Sequence, residues 1–321
     1  MAEYKEIKGF KVQSLASDPS GPAGQIWYNT TSYALKYDAE GAGAWSSGGT
    51  LNNARAQTTA APNGTSTAGL LFGGAPGNVD YTEKYDGTTW TEVADLKLGR
   101  YEAGGGGTQA AALSFGGWGP GSAQDETEEW DGTSWTEVND LNVGVRGLGS
   151  CGTQTAALAI GGGRTPSETT SDTVEKWDGT CWTEVNNLQT ARKYLPGAGT
   201  VTAALAIGGF PLTGKTEEYD GTSWTEVNAL TTARYNPIGF GIQTAALAAG
   251  GSAPAASALT EKYDGTSWTE VGDLASARTT SGGGGTTSNG LIAGGYLAPA
   301  NLNISEEWAD PVQAVKTVTV S

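Results

Sequence analysis

Between Tyr219 and Val227 the chain reads YDGTSWTEV, and the same nine residues recur from Tyr263 to Val271. Near-copies stand at 85–93 (YDGTTWTEV), 130–138 (WDGTSWTEV) and 177–185 (WDGTCWTEV). Asp and Glu are the residue types of acid–base catalysis, so this recurrence is either a repeated active site or a structural unit used many times. The chain contains no histidine. That removes any Ser-His or Cys-His nucleophile system, a histidine-ligated copper centre and the usual zinc sites. No catalytic residue, metal site or cofactor is expected.

The spacing supports the structural reading. A two-residue turn at Gly221-Thr222 places Tyr219 directly opposite Trp224 on one face of a hairpin, with glycine supplying the positive φ that such turns need. The aromatic pair then fills the space between neighbouring sheets. The same register sets Glu217 opposite Glu226, Glu83 opposite Glu92, Glu128 opposite Glu137, Glu175 opposite Glu184 and Glu261 opposite Glu270. Like charges so placed are unfavourable unless neutralised. Arginines recur at Arg55, Arg100, Arg146, Arg192, Arg234 and Arg278. They are one candidate to neutralise these glutamates and a bound cation is another, with solvated surface charge as the competing reading.

Each unit also carries an apolar run ending in a glycine pair: GLLFGG (69–74), ALSFGG (112–117), ALAIGG (157–162), ALAIGG (204–209), ALAAGG (246–251) and GLIAGG (290–295). A period of about 45 residues suits a four-stranded propeller blade. The order of apolar strand, Gly-Gly, loop, aromatic strand, turn and Trp strand resembles the kelch repeat, with a tighter outer hairpin. The resemblance implies an all-β, seven-bladed, kelch-like β-propeller of four-stranded antiparallel blades. Its seventh copy is ALKYDAEGAGAWSSGGTLNNAR (34–55), read as one hairpin. The expected organisation is a lead segment at 1–24, propeller repeats at 25–311 and a closing strand at 312–321. KGFKVQSLAS (8–17) is a candidate first inner strand and AVKTVTVS (314–321) a candidate outer one, with exchange of the two termini as the alternative.

The formal net charge is -16, and the 7 Arg and 11 Lys are scattered. No electrostatic footprint for nucleic acid is present, and no apolar stretch approaches the roughly 18 residues of a membrane span. The start, MAEYKEIKGFKVQ, has charges where a signal peptide has its apolar run. Cys151 and Cys181 fall too far apart within one unit for a disulfide and are expected to be free thiols.

Comparing the repeats with one another separates two faces. The near-constant stretches (GTQTAAL and DGTSW) are turns of one face. The divergent stretches are loops of the other. The variable face offers Tyr101, Trp118, Arg164, Tyr194, Phe210, Tyr235 and Tyr296 as a candidate binding surface for glycan or protein.

The opening segment GQIWYNTT, followed by LKYD and the YDGTSWTEV units, resembles virion structural and tail-fibre proteins of marine bacteriophages. The resemblance implies a non-enzymatic particle component assembled in the host cytoplasm. Its partners would be other virion proteins and a host-cell glycan, with self-association on the particle also open. The alternatives are a sialidase-like glycan-processing enzyme, since DGTSW resembles a shortened sialidase Asp-box, and a purely architectural virion subunit.

Overall fold

The repeats are built on an apolar strand buried on both faces, then a third strand that is mostly buried and an outer strand that buries its tryptophan and exposes the Thr and Glu after it. In the fourth repeat these are Ala203–Ile207, Thr216–Tyr219 and Trp224–Val227, joined on the inner side by Gly197–Thr200. The computed structural model describes residues 13–17, 26–39, 43–165, 169–310 and 314–317. No helix among them is long and apolar enough to cross a membrane. The chain divides into two compact units, Ala44–Ala309 and a second made of Met1–Gly43 with Asp310–Ser321.

The unit Ala44–Ala309 is a β-propeller. Its blades 1 to 5 begin at the inner strands Thr59–Ala60, Gly104–Gly107, Gly149–Thr153, Gly197–Thr200 and Ile238–Ile242. Blade 6 is assembled from Gly282–Thr286, Asn289–Ala293, Ser305–Ala309 and, from the far end of the sequence, Ala44–Ser47 as its outermost strand. Inner strands of successive blades touch in a cycle, and that of blade 6 meets that of blade 1 directly. Glycine allows this close approach: a Cβ on Gly105 would stand 2.3 Å from the Ala60 carbonyl oxygen, and one on Gly197 2.6 Å from that of Ser150.

Seven four-stranded sheets are present among the described residues. Six form the cycle just described, and the seventh lies in the other unit. There Gln13–Leu15, Ile26–Asn29, Ala34–Ala39 and Ala314–Thr317 line up in that order. Ala314–Thr317 is an edge strand, antiparallel to Ala34–Ala39. Gln13–Leu15 pairs parallel with Ile26–Asn29, unlike the inner strand of a blade. Residues 8–12 and 318–321 of the two candidate closing strands lie outside the described residues.

The reading of 34–47 as one hairpin is corrected. Ala34–Ala39 belongs to the terminal sheet, whereas Ala44–Ser47 closes blade 6, with Trp45 opposite Trp308 and ring centroids 5.4 Å apart. Trp308 supplies the aromatic of the third strand, so the same pair is made from residues at opposite ends of the propeller sequence.

The repeated nonapeptide is the outer hairpin. Tyr219 pairs with Trp224 and Glu217 with Glu226, as the spacing requires. The Asp220 carboxylate accepts the backbone N–H groups of Thr222 and Ser223 at 2.8 and 2.7 Å, and Gly221 adopts φ +91°. Those backbone donors hold the Asp220 carboxyl below its ordinary range. Asp86, Asp131, Asp178 and Asp264 make the same turn. The repeated Asp is therefore a turn latch.

Neighbouring blades are stitched through the Trp of the outer strand. Its Nε1–H donates to a threonine hydroxyl on the preceding blade at 3.0 Å in Trp135–Thr82, Trp182–Thr127, Trp268–Thr216 and Trp45–Thr260. Blade 3 carries Val174 where the others carry Thr or Ser, and Trp224 Nε1, buried, has no partner.

The recurring arginines resolve the like-charge problem. Arg55, Arg100, Arg192, Arg234 and Arg278 are fully buried and pair with Glu83, Glu128, Glu217, Glu261 and Glu306 on the third strand of the following blade. The facing glutamates of the outer strands, such as Glu226, stay in water. Arg146 does not follow. A buried Val145 takes the equivalent place, and Glu175 keeps the contact that the residue after the leucine makes in every blade, here the Asn142 backbone N–H and Nδ2 at 2.9 and 2.7 Å.

Cys151 is buried and Cys181 exposed, both free. Burial pushes the Cys151 thiol up to about 12, so a thiol reagent is expected to label one cysteine in the folded chain and two after unfolding. Two stability predictions follow from the pairings above. Arg234→Met leaves Glu261 buried without its cation and is expected to cost about 3–5 kcal/mol by denaturant unfolding. Val174→Thr supplies the missing acceptor for Trp224 and is expected to stabilise by about 1 kcal/mol.

Candidate ligand-binding site at the channel mouth

The connections that lead into each inner strand share a pattern. A buried leucine (Leu51, Leu96, Leu141, Leu188, Leu230, Leu274) is followed four residues later by the buried arginine, or by Val145 in blade 3. Two residues beyond that come Gln57, Glu102, Gly147, Tyr194, Asn236 and Thr280. All six adopt left-handed backbone, with φ between 53° and 57°.

Backbone hydrogen bonds link them around the axis. Gln57 N–H donates to the Thr280 carbonyl at 2.7 Å, Glu102 to Gln57 at 3.0 Å, Gly147 to Glu102 at 2.9 Å, Tyr194 to Gly147 at 2.6 Å and Asn236 to Tyr194 at 2.7 Å. The ring surrounds a cavity of about 110 Å³ to which every blade contributes.

A non-glycine residue in this conformation costs on the order of 1–3 kcal/mol. The chain holds 50 glycines, yet five of these six positions carry a side chain. All five are polar and all five differ, while the flanking leucine, arginine and glycine positions barely change. Strain retained at equivalent positions around a cavity, with a different functional group at each, points to recognition.

One sector of the ring concentrates charge and aromatic surface. Arg146 Nη1 donates to Glu102 Oε2 at 3.0 Å, and its guanidinium lies 4.5 Å from the Trp118 ring centroid. Gln57 Nε2 donates to Glu102 Oε1 at 2.6 Å. Lys193 Nζ sits 5.3 Å from the Tyr194 ring, and the Tyr235 ring is 6.4 Å from Tyr194 and 6.1 Å from Phe210. Burial raises the Glu102 carboxyl above its ordinary range, against the opposing pull of Arg146 and the bond from Gln57. Gly147 has no substitute here, because a Cβ would stand 2.6 Å from the Tyr194 ring.

Of the residues singled out from sequence, Tyr194, Tyr235 and Phe210 come together. Trp118 lies against Arg146, which bonds Glu102 of the ring, and it pairs with Tyr101 in an isolated bridge. Arg164 lies in a short strand opposite Val145. Tyr296, in blade 6, bridges to Thr279 and is 38% exposed. Sequence reasoning missed Glu102, Gln57 and Asn236, and it assigned Arg146 to the structural series. The signal was countable: Arg146 follows Leu141 by five residues, where the other arginines follow their leucine by four. Among the described residues no group of three or more His, Cys, Asp and Glu is placed to hold a metal.

No protein-family model matches the chain, and no curated protein matches it. Among solved structures it is similar to YjhT, with a TM-score of 0.70 and 14% identity over 84% of this chain and 99% of that one. At this identity the likeness shows the fold, a β-propeller. It corrects the expectation that the chain is not an enzyme. Propellers carry enzymes as well as binding modules, and sialidases are built on them, so an exclusion drawn from missing histidine does not stand.

The raised Glu102 carboxyl gives a pH test. Its folded-state affinity for protons exceeds that of the unfolded chain, so the wild type loses stability as pH rises through the interval above the ordinary value of 4.5. Glu102→Gln lacks that loss. The stability difference, variant minus wild type, is expected to grow between pH 4 and pH 7 in thermal unfolding; a difference that shrinks contradicts the assignment.

Proposed function

We propose that this chain is a carbohydrate-engaging β-propeller of kelch type carried on a bacteriophage particle, and that its ligand seats at the channel mouth. The observation that carries this reading is the ring of six equivalent strained positions bearing Gln57, Glu102, Gly147, Tyr194, Asn236 and Thr280. Beside it, Tyr194, Tyr235 and Phe210 offer ring faces of the kind on which sugars stack, and Arg146, Glu102, Gln57 and Asn236 offer directional hydrogen bonds. The virion assignment is supported by GQIWYNTT and the repeats that follow it, and it implies other virion proteins as partners.

A second reading, glycan processing of sialidase-like design, is favoured by one observation. A carboxyl raised by burial, set beside an arginine in a concave site, is the environment of a catalytic acid.

Binding of the purified chain to immobilised host-cell glycans tests the first reading, and turnover of model glycosides tests the second. Tyr194→Ala is expected to weaken binding at least tenfold with little change in melting temperature. Equal weakening by Tyr296→Ala alone would place the site elsewhere on the face. Turnover that Glu102→Gln abolishes while binding persists would establish the second reading over a purely binding role.

A further inference from the structure

At the far end of their inner strands the six repeats agree in all but one place. The turn that leaves the strand carries Thr65, Thr108, Thr153, Thr200 and Thr286 in five blades, and Ile242 in blade 5. In four of the five the threonine hydroxyl meets the hydroxyl two residues further on. Ile242 has no hydroxyl to offer and is 56% exposed. It lines a cavity of about 220 Å³ between the turns of blades 5 and 6, together with Asn63, Gly64, Gly241, Ala245 and Thr287. Pro62, one residue before Asn63, lines the cavity at the mouth. The second cavity opens on the opposite, constant face.

A matching projection stands in the terminal unit. Tyr33 is 80% exposed, and it and Ile242 are the two most exposed large apolar side chains among the described residues. Its turn is anchored on two sides. Asn29 Oδ1 accepts the Thr31 and Ser32 N–H groups at 3.0 and 2.8 Å, while the Thr30 N–H donates to the Leu15 carbonyl at 2.8 Å and Thr31 Oγ1 to that of Ala16 at 2.5 Å. Tyr33 ends the turn in left-handed backbone, at φ 53°, a conformation that costs free energy in any residue with a Cβ. A ring presented on so anchored a turn loses little freedom when it docks.

Charge selects what can approach the cavity. The propeller unit carries nearly all of the net charge of -16, and its constant face bears the exposed carboxylates of Asp86, Asp131, Asp178, Asp220 and Asp264. Two propellers meeting through that face repel each other. The terminal unit is close to neutral, with five lysines against six acidic residues, so it meets the acidic face without that penalty. We propose that the cavity beside Ile242 receives Tyr33 of a second copy of this chain. The ring fills the space between the turns of blades 5 and 6 and covers Ile242, an aromatic anchor in a pocket of the kind that dominates protein interfaces. Unlike surfaces meet, so the contact is head-to-tail and closes into a ring or continues as a filament. It leaves the channel mouth open.

Sedimentation velocity of the full chain over a range of concentrations tests this. Wild type is expected to associate, whereas Tyr33→Ala and Ile242→Thr each sediment as monomers with an unchanged melting temperature. Ile242→Thr installs the residue that the other five repeats carry, which guards against a folding artefact. Tyr33→Phe keeps the ring and is expected to associate like wild type. An equimolar mixture of Tyr33→Ala and Ile242→Thr decides the geometry. One intact projection and one intact cavity remain, on different copies, so the mixture is expected to form dimers and nothing larger. A mixture that stays monomeric, as a contact of either residue with its own copy across a two-fold axis would give, overturns the inference. So does association that survives either single substitution. Wild type that is monomeric at every concentration overturns it too, and leaves the cavity to a different partner.

Discussion

Five times around the propeller a guanidinium is taken wholly out of water and set against a carboxylate on the third strand of the next blade. Desolvating both charges is expensive, and the attraction between them offsets that cost only when the remaining donors and acceptors are also satisfied. Here they are in part: Nε of Arg55, Arg100, Arg192 and Arg234 and Nη2 of Arg55 are buried without a partner. Arg192 Nη1 also donates to the carbonyls of Gly208 and Lys215, while Glu217 accepts the Gln189 backbone N–H. Burial pulls the arginine down and the glutamate opposes the shift. The pair fixes where each connection lies on the following blade, and the left-handed residue two positions later is fixed with it. In five of the six blades the buried pair thus anchors the connection just before the channel mouth, while blade 3 reaches the same conformation at Gly147 without it.

Blade 3 departs from this rule twice, and the two departures have different consequences. Val174 leaves a tryptophan N–H without an acceptor, a local cost beside the apolar packing of Val174 in the cluster that holds Trp224. Val145 instead releases the neighbouring Arg146 from the buried series and directs it to Glu102 and Trp118 at the mouth. Asn142 holds Glu175 as Asn52 holds Glu83. A repeat that gives up its structural arginine and gains a cation beside a buried carboxylate has exchanged uniformity for chemistry, at the point where the aromatic residues also gather.

Much of this was legible in the residues. The aromatic register of the outer hairpin, the opposed glutamates and the division into a constant and a variable face follow from spacing alone, because a strand alternates its side chains strictly. Trp45 was less tractable: it lies next to a good local partner in sequence, and only ring closure gives it Trp308. The mouth was partly legible. Tyr194, Tyr235 and Phe210 stood out as aromatics in divergent loops, whereas Gln57, Asn236 and Thr280 look like ordinary loop residues. Their common left-handed conformation depends on hydrogen bonds between blades, and no local pattern encodes those.

The central claim is that the repeated residues form a platform and the six unlike residues at the channel mouth make the contact. It is tested most directly by determining the structure of the chain with a bound carbohydrate. The account predicts ligand density inside the ring of Gln57, Glu102, Gly147, Tyr194, Asn236 and Thr280, touching Tyr194 and entering the cavity above Pro62. Density seated on the repeated DGTSW turns of the opposite face, with the mouth empty, would contradict it.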